Sequence, residues 1–262
     1  PGRVLDMSLA KDLALKVPAV RRLREQRDEL AKENKALRRE LVEQQYREDL
    51  KYVFIVTYGR SGSTLVQGIL NSIPGYLVRG ENAGVLENLV EAYVNLNERK
   101  GKIKRGSKPE DPWFGLKSYS PVEAAAGYRK LMLNVVLKPN RDTRVLGFKE
   151  IRWWKHDLTQ MLAMTREIFP EARFIFNTRN TEDVIVSRWW ADKDPDMARR
   201  QIAAFTTRMD EAYENLGDDI VYRIHFDDFV ADPGVLSGLF DWLGEPFDRA
   251  RIDEVLGTRH SY

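Results

Sequence analysis

The chain has 262 residues and a formal net charge of +2, which suits one medium α/β domain with an appendage and argues against nucleic acid as a partner. The absence of cysteine excludes disulfides, thiolate catalysis and cysteine-ligated zinc. The three histidines form no His-x-x-x-His pair, so we expect no metal.

The first 50 residues carry a heptad pattern. Its d positions fall on leucines and one a position falls on asparagine, a residue that sets register in two-stranded coils. The d positions are Leu23, Leu30 and Leu37, and the a positions are Val20, Arg27, Asn34 and Leu41. The sequence therefore predicts that residues 1–50 form a coiled-coil helix through which the chain forms a homodimer. The alternative is an amphipathic helix that packs on its own domain.

Residues 52–70 combine a strand, a loop and the start of a helix. Tyr52–Thr57 is apolar, β-branched and aromatic, which is typical of a buried parallel strand. Residues 59–64 read Gly-Arg-Ser-Gly-Ser-Thr, and the glycines let backbone N–H groups point inward beside a helix N-terminus. Arg60 adds a permanent charge. The sequence predicts a P-loop-like anion cradle, without the lysine of a Walker A motif.

The remaining chain alternates strands with helices, which predicts an α/β fold with a three-layer parallel sheet in a domain of residues 51–262. Further strands are expected at 144–148, 173–178 and 220–224, and a helix at 181–190. Trp113, Phe114 and Tyr119 follow a basic loop, and they either line an acceptor pocket or anchor that loop. No stretch is apolar enough to span a membrane and no signal peptide is evident, so we expect a cytoplasmic protein.

Three of the predicted strands end in a cation: Arg60, Lys149 and Arg179. The carboxyl ends of parallel strands share one edge of the sheet, so these side chains can converge. Ser187 would lie two turns along the helix that follows Arg179 and would add a hydroxyl to a second anion site. Two such sites suit a nucleotide with separated phosphate groups.

The two motifs together resemble those of sulfotransferases that use 3′-phosphoadenylyl sulfate (PAPS). Tyr58–Thr64 resembles the family's 5′-phosphosulfate loop, with the arginine found in many bacterial members, and Phe176–Ser187 resembles its 3′-phosphate motif. Phe226–Pro233 resembles a segment of the family's C-terminal part. The resemblance covers about residues 51–262.

This resemblance implies direct transfer of a sulfuryl group from PAPS to an acceptor hydroxyl, with 3′,5′-adenosine bisphosphate (PAP) as the product and no metal. Arg60 and Lys149 would stabilise charge on the leaving group. The residues implied to bind the nucleotide are Arg60, Ser61, Gly62, Ser63, Thr64, Arg179, Ser187 and Arg259.

A general base must remove the acceptor proton. Cytosolic members of the family carry a histidine where this chain has Ile151, so the base must come from elsewhere. Glu81 is the better candidate, because it lies at the offset from Arg60 at which tyrosylprotein sulfotransferases carry a glutamate base. Glu150 is the second candidate, and His156 is expected to be structural.

Two other functions are alternatives to sulfuryl transfer. A P-loop small-molecule kinase would need a lysine in the loop and a strand-end aspartate for Mg²⁺, and a coiled-coil scaffold would bind nucleotide without turnover. The expected acceptor is a carbohydrate or secondary metabolite, and a peptide tyrosine is the alternative. Trp189 and Trp190 would stack on adenine or fill the core.

Overall fold

The computed structural model describes residues 18–45, 49–103, 108–153 and 157–258, and within the first range it describes side chains as far as residue 34. The chain divides into two compact units, the second of which starts at Asp49. The first unit contains one long helix, α1 (Pro18–Gln45), as the heptad pattern indicated. Leu23 and Leu30 on this helix are each 64% exposed. Pairing between two such helices stays a prediction.

The second unit is built on five parallel strands in the order β2-β3-β1-β4-β5. The predicted α/β fold with a parallel sheet is confirmed, and β3 is longer than expected because it includes Lys149. The strands are β1 (Lys51–Val56), β2 (Tyr76–Arg79), β3 (Val145–Glu150), β4 (Arg173–Thr178) and β5 (Val221–His225).

Helices cover both faces of this sheet. The α-helices are α2 (Ser63–Asn71), α3 (Val85–Lys102), α4 (Pro121–Met132), α5 (Leu158–Ile168), α6 (Thr181–Ile185), α7 (Pro195–Leu216), α8 (Phe226–Ala231), α9 (Ser237–Leu243) and α10 (Arg249–Gly257). A π-helical turn, Leu133–Leu137, follows α4. The short 3₁₀ helices are Leu116–Ser118, Arg188–Trp190 and Pro233–Leu236.

The central strand β1 contributes to a core on each face, which explains its continuous apolar sequence. Tyr52, Phe54 and Val56 join one hydrophobic cluster, whereas Val53 and Ile55 join the other. Gly147 lets β3 lie against β1, because a Cβ there would be 1.6 Å from the Val53 carbonyl oxygen. The sheet is thus fixed on both sides, and its carboxyl edge is a rigid base for the site.

The helix expected over residues 181–190 is interrupted, so this part of the prediction was wrong. Asn180 caps α6 by accepting a hydrogen bond from the Glu182 N–H, and α6 ends at Ile185. Ser187 then has extended backbone angles, and Arg188 has a φ of +47°. Ser187 therefore lies in a turn between two short helices and not two turns along one helix.

Candidate active site

The loop between β1 and α2 is anchored from inside the protein. Thr57 Oγ1 lies 2.7 Å from the Asn177 carbonyl oxygen and 2.6 Å from Ser61 Oγ. Because a carbonyl can only accept, Thr57 donates to Asn177 and accepts the Ser61 proton. Asn177 Nδ2 also donates to the Ser61 carbonyl at 2.9 Å. The Ser61 hydroxyl is fully buried and holds the loop, so it does not face the cavity.

The tip of this loop has a strained backbone. Gly62 has a φ of +80°, and a Cβ there would lie 2.0 Å from Cδ2 of Phe226. Arg60 has a φ of +69°, which is uncommon for a residue with a side chain. Such conformations concentrate at functional sites. The loop thus exposes its backbone beside the start of α2, as an anion cradle requires.

The carboxyl edge of the sheet carries one large cavity of about 1120 Å³. The structure brings together most of the residues singled out from the sequence, including the three strand-end cations. Those that line the cavity are Arg60, Gly62, Ser63, Thr64, Glu81, Lys149 and Arg179. Their roles stay predictions, but their convergence is a feature of the structure.

A buried lysine faces the candidate base. Lys149 is only 7% exposed, and its Nζ lies 2.7 Å from Glu81 Oε1. The other Glu81 oxygen lies 3.5 Å from Arg152 Nη1, which is also 3.0 Å from Glu150 Oε1. Glu81 is therefore held between two cations at the wall of the cavity.

Both carboxylate oxygens of Glu150 accept hydrogen bonds inside the protein. Its Oε2 accepts hydrogen bonds from the backbone N–H groups of Asn82 and Gly84, each at 3.2 Å. Its Oε1 accepts from the N–H of Ile151 and from Arg152. The carboxylate is buried and does not line the cavity, so its geometry favours a structural role. By holding the turn that follows Glu81, it positions the other candidate.

Arg179 is fixed through its backbone, and its guanidinium makes only long polar contacts, 3.4 Å to the Arg60 carbonyl, 3.9 Å to Asp183 and 4.0 Å to Asp227. The buried Tyr58 hydroxyl contacts both the N–H and the carbonyl of Arg179 at 3.0 Å, and burial raises the pKa of Tyr58, so the phenol stays protonated. The guanidinium lies over the Phe226 ring at 4.6 Å. Its Nε is buried and has no hydrogen-bond partner in the described part of the chain. Arg179 can therefore turn a donor toward an anion.

Trp189 and Trp190 line another part of the cavity, and Ser187, two positions before Trp189, does not line it. The Ser187 hydroxyl accepts a hydrogen bond from Arg60 Nε at 2.9 Å. Trp190 is 5% exposed and donates to the Gly59 carbonyl at 2.9 Å, so it fills the core. Trp189 stacks on Trp190 at 4.4 Å, is 42% exposed and lines the cavity. Trp190 therefore follows the core-filling interpretation, whereas Trp189 is accessible from the cavity.

The sequence did not reveal several other residues of the cavity. Four are basic and come from scattered positions: Arg152, Arg188, Lys193 and Arg208. Three are apolar and form a corner beside Gly62: Leu65, Phe226 and Leu256. Arg188 follows Ser187 directly, so the motif that ends at Ser187 could have pointed to it. Arg208, Leu65, Phe226 and Leu256 lie on helices, whereas Arg152 and Lys193 lie in loops, and no local pattern marked these positions as a site.

Some predicted residues lie elsewhere. Trp113 and Phe114 do not line the cavity, and Trp113 lies under Arg99 at 4.5 Å, near the C-terminal end of α3. The Tyr119 carbonyl accepts a hydrogen bond from Lys100, which supports the anchoring interpretation. Arg259 and His156 lie outside the described residues.

The family model described as "Sulfotransferase family" matches residues 53–249, which include the loop, Glu81, Lys149 and the motif from Phe176 to Ser187. The chain belongs to the sulfotransferase family. It is accordingly an enzyme that transfers sulfuryl groups. A comparison with curated protein sequences finds no match.

Solved structures show how widely this fold is shared. The sulfotransferase domain from the curacin biosynthetic pathway is 17% identical with a TM-score of 0.51, and the alignment covers 80% of this chain and 79% of that one. Sulfotransferase STF9 from Mycobacterium avium is 14% identical with a TM-score of 0.50, covering 84% of this chain and 71% of that one. At such identities the likeness concerns the fold alone.

None of the helices described is long and apolar enough to cross a membrane. Within the described residues, no three His, Asp or Glu side chains are grouped so that they could hold a metal ion.

Proposed function

We propose that this sulfotransferase takes its sulfuryl group from PAPS and transfers it to the hydroxyl of a small-molecule or carbohydrate acceptor. The observation that carries the proposal is the Lys149–Glu81 pair, 2.7 Å apart, in the cavity that also contains the loop after β1 and Arg179. A lysine for the leaving group and a carboxylate for the acceptor proton thus lie side by side.

The residues present fit the phosphate groups of PAPS. Gly62 lets the loop pack directly against the Phe226 ring, and Ser63, Thr64 and Arg60 line the cavity beside it. The unpartnered Nε of Arg179 supplies a donor for a second phosphate. The Ser187 hydroxyl accepts a hydrogen bond from Arg60, and its own proton can be donated to the second phosphate.

The apolar corner suits the nucleobase. Leu65, Phe226 and Leu256 pack on the same face of the sheet and line the cavity beside the loop. Arg179 lies on the Phe226 ring, so a base in this corner would have its ribose phosphates next to Arg179 and the loop. The arrangement favours an adenine nucleotide with two separated phosphates over a simple sulfate donor.

When bound, PAPS supplies the sulfuryl group, whose sulfur bonds to the acceptor oxygen as its bond to the bridging phosphate oxygen breaks, so that PAP and a sulfate ester form. Glu81 accepts the hydroxyl proton. Lys149 and Arg60 stabilise the negative charge on the leaving phosphate, and the low exposure of Lys149 strengthens its effect. Lys149 Nζ also donates a hydrogen bond to Glu81 Oε1 and so holds the base in place before the transfer.

Calorimetric titration with PAP in the presence of EDTA tests the donor. We expect wild type to bind PAP without metal, and Arg179→Ala to lose at least tenfold in affinity, about 1.4 kcal/mol. Arg200→Ala is the control, because Arg200 is exposed on α7 and does not line the cavity. Absence of PAP binding to wild type, or binding of ATP that requires Mg²⁺, would overturn the proposal in favour of a kinase.

A further inference from the structure

The two glycines of the loop face different walls of the cavity. A Cβ on Gly62 would meet Phe226 at 2.0 Å, whereas a Cβ on Gly59 would meet Cζ2 of Trp189 at 2.5 Å. Phe226 belongs to the apolar corner under Arg179, and Trp189 belongs to the turn after Ser187. The loop therefore has one wall at each end.

The nucleotide proposed above accounts for only one of these walls. Its base and second phosphate suit the side of Phe226 and Arg179. The wall of Trp189 is then left for the acceptor, with Glu81 and Lys149 available to the reacting groups. A half-exposed indole in such a position can stack on a sugar or an aromatic ring.

The acceptor wall is basic. Arg188, Lys193 and Arg208 all line the cavity, in addition to the cations assigned to the donor. Among the described lining residues, Glu81 is the only acidic one, and it is already paired with Lys149. An acceptor with an anionic group would give Arg188 and Lys193 a counterion in the cavity.

Two of these cations are held in place by the structure. Lys193 Nζ donates to Gln201 Oε1 at 2.8 Å and lies 5.0 Å from the centre of the Trp189 ring. Arg188 has a φ of +47°, a conformation that costs about 1–3 kcal/mol and persists only where surrounding contacts impose it. The hydrogen bond from Trp190 to Gly59 fixes the turn that holds Arg188 in this conformation. The backbone turn that carries Arg188 is thus fixed against the loop after β1.

We propose that the acceptor carries an anionic group of its own, a carboxylate, sulfate or phosphate, that binds Arg188 and Lys193 while its hydroxyl meets Glu81. This inference rests on the proposed function and specifies its substrate class. Acidic sugars and aromatic hydroxy acids both satisfy it, and the Trp189 ring suits either.

The test uses two matched pairs of probes that differ in charge. The sugar pair is methyl β-D-glucoside and methyl β-D-glucuronide, and the phenol pair is 4-hydroxyphenethyl alcohol and 4-hydroxyphenylacetate. Each is titrated by calorimetry into the protein saturated with PAP, and sulfuryl transfer from labelled PAPS gives kcat/KM for the same probes. Comparison of the two pairs separates a sugar acceptor from an aromatic one.

We expect the anionic member of at least one pair to bind tenfold or more tightly than its neutral partner. The double variant Arg188→Gln/Lys193→Gln should abolish that preference, whereas Arg200→Gln should keep it. The double variant should retain PAP affinity within about threefold. Thermal unfolding confirms that the variants are folded.

Two outcomes would overturn the inference while leaving the donor assignment intact. One is equal binding of both members in both pairs, including no binding of either. The other is a loss of PAP affinity in the double variant as large as that in Arg179→Ala, since these cations would then serve the nucleotide. Failure of wild type to bind PAP is a different result and removes the proposed function itself.

Discussion

Arg60 Nε donates a 2.9 Å hydrogen bond to the Ser187 hydroxyl, and so connects the loop after β1 to the turn after α6. These residues belong to the two motifs that were expected to hold different phosphates. The contact means that Arg60 reaches from one anion site to the other. Loss of Ser187 should therefore affect both sites.

Ser187→Ala tests this connection. A hydrogen bond to a charged group contributes about 1.5–3 kcal/mol, so we expect PAP affinity and kcat/KM each to fall about tenfold or more. Thr207→Ala is the control, because the Thr207 hydroxyl bonds only to its own helix at Ala203. A loss of PAP affinity with unchanged kcat would show that Ser187 serves the 3′-phosphate alone.

The α/β fold and the convergence of the three cations could be read from the sequence because both depend on local patterns. The apolar run of β1 and the position of Lys149 and Arg179 near strand ends follow from short-range periodicity. Parallel pairing then places all strand ends at one edge. Neither step requires knowledge of side-chain contacts.

The errors arose where distant contacts override local pattern. The sequence after Thr181 continues with helix-compatible residues, but the bonds of Ser187 to Arg60 and of Trp190 to Gly59 interrupt the helix. The burial of the Ser61 hydroxyl depends on Thr57 and Asn177, of which the latter is more than a hundred positions away. No rule of spacing gives such contacts.

Glu81→Gln tests the base. The amide is nearly the same size but cannot take up the acceptor proton, so we expect turnover to fall about 10²–10⁴-fold. PAP affinity should stay within about threefold, because the nucleotide does not need this carboxylate. Glu98→Gln, at an exposed glutamate paired with Lys102, is the matched control. Full activity of Glu81→Gln would assign the base elsewhere.

Gly62→Ala tests the cradle. An alanine at φ +80° costs about 1–2 kcal/mol, and its Cβ would overlap Phe226, on which Arg179 rests. We expect at least a tenfold loss of PAP affinity. Gly127→Ala in α4, where a Cβ meets nothing within 4 Å, should not reduce it.

The source of the Gly62→Ala defect can be separated by a second substitution. Phe226→Leu removes the ring that the new methyl group would strike. Because Phe226 also lines the proposed nucleobase corner, the double variant is compared with Phe226→Leu alone. If overlap is the main cost, Gly62→Ala should lower PAP affinity less in the Phe226→Leu background than in wild type. An equal loss in both backgrounds would attribute the whole effect to the backbone angle.

The homodimer predicted from the heptads can be tested through α1. Two of its d-position leucines, Leu23 and Leu30, are exposed on the helix. We expect light scattering after gel filtration to give twice the 30.4 kDa of one chain, and Leu23→Glu/Leu30→Glu to give a single chain mass. The unfolding of the α/β unit should not change. A monomeric wild type would contradict the prediction.

Arg144 and Glu245 link pH to stability. Arg144 donates two hydrogen bonds of 2.6 Å to the Glu245 carboxylate, which also accepts from Tyr76. The Glu245 carboxylate is 8% exposed, and the bond from Arg144 lowers the pKa of Glu245. Since that pKa is lower in the folded state, the pair stabilises the fold above the unfolded value of about 4.3, and the contribution is lost as pH falls through the folded value.

Glu245→Gln should therefore reduce the free energy of unfolding by about 1–2 kcal/mol at pH 7. The difference from wild type should shrink as pH falls through the lowered folded-state pKa of Glu245, because the wild-type carboxylate is then protonated as well. Urea unfolding across this range measures it, with the exposed Glu254→Gln as the control. A difference that stays constant with pH would mean that Glu245 acts through shape and not through its charge.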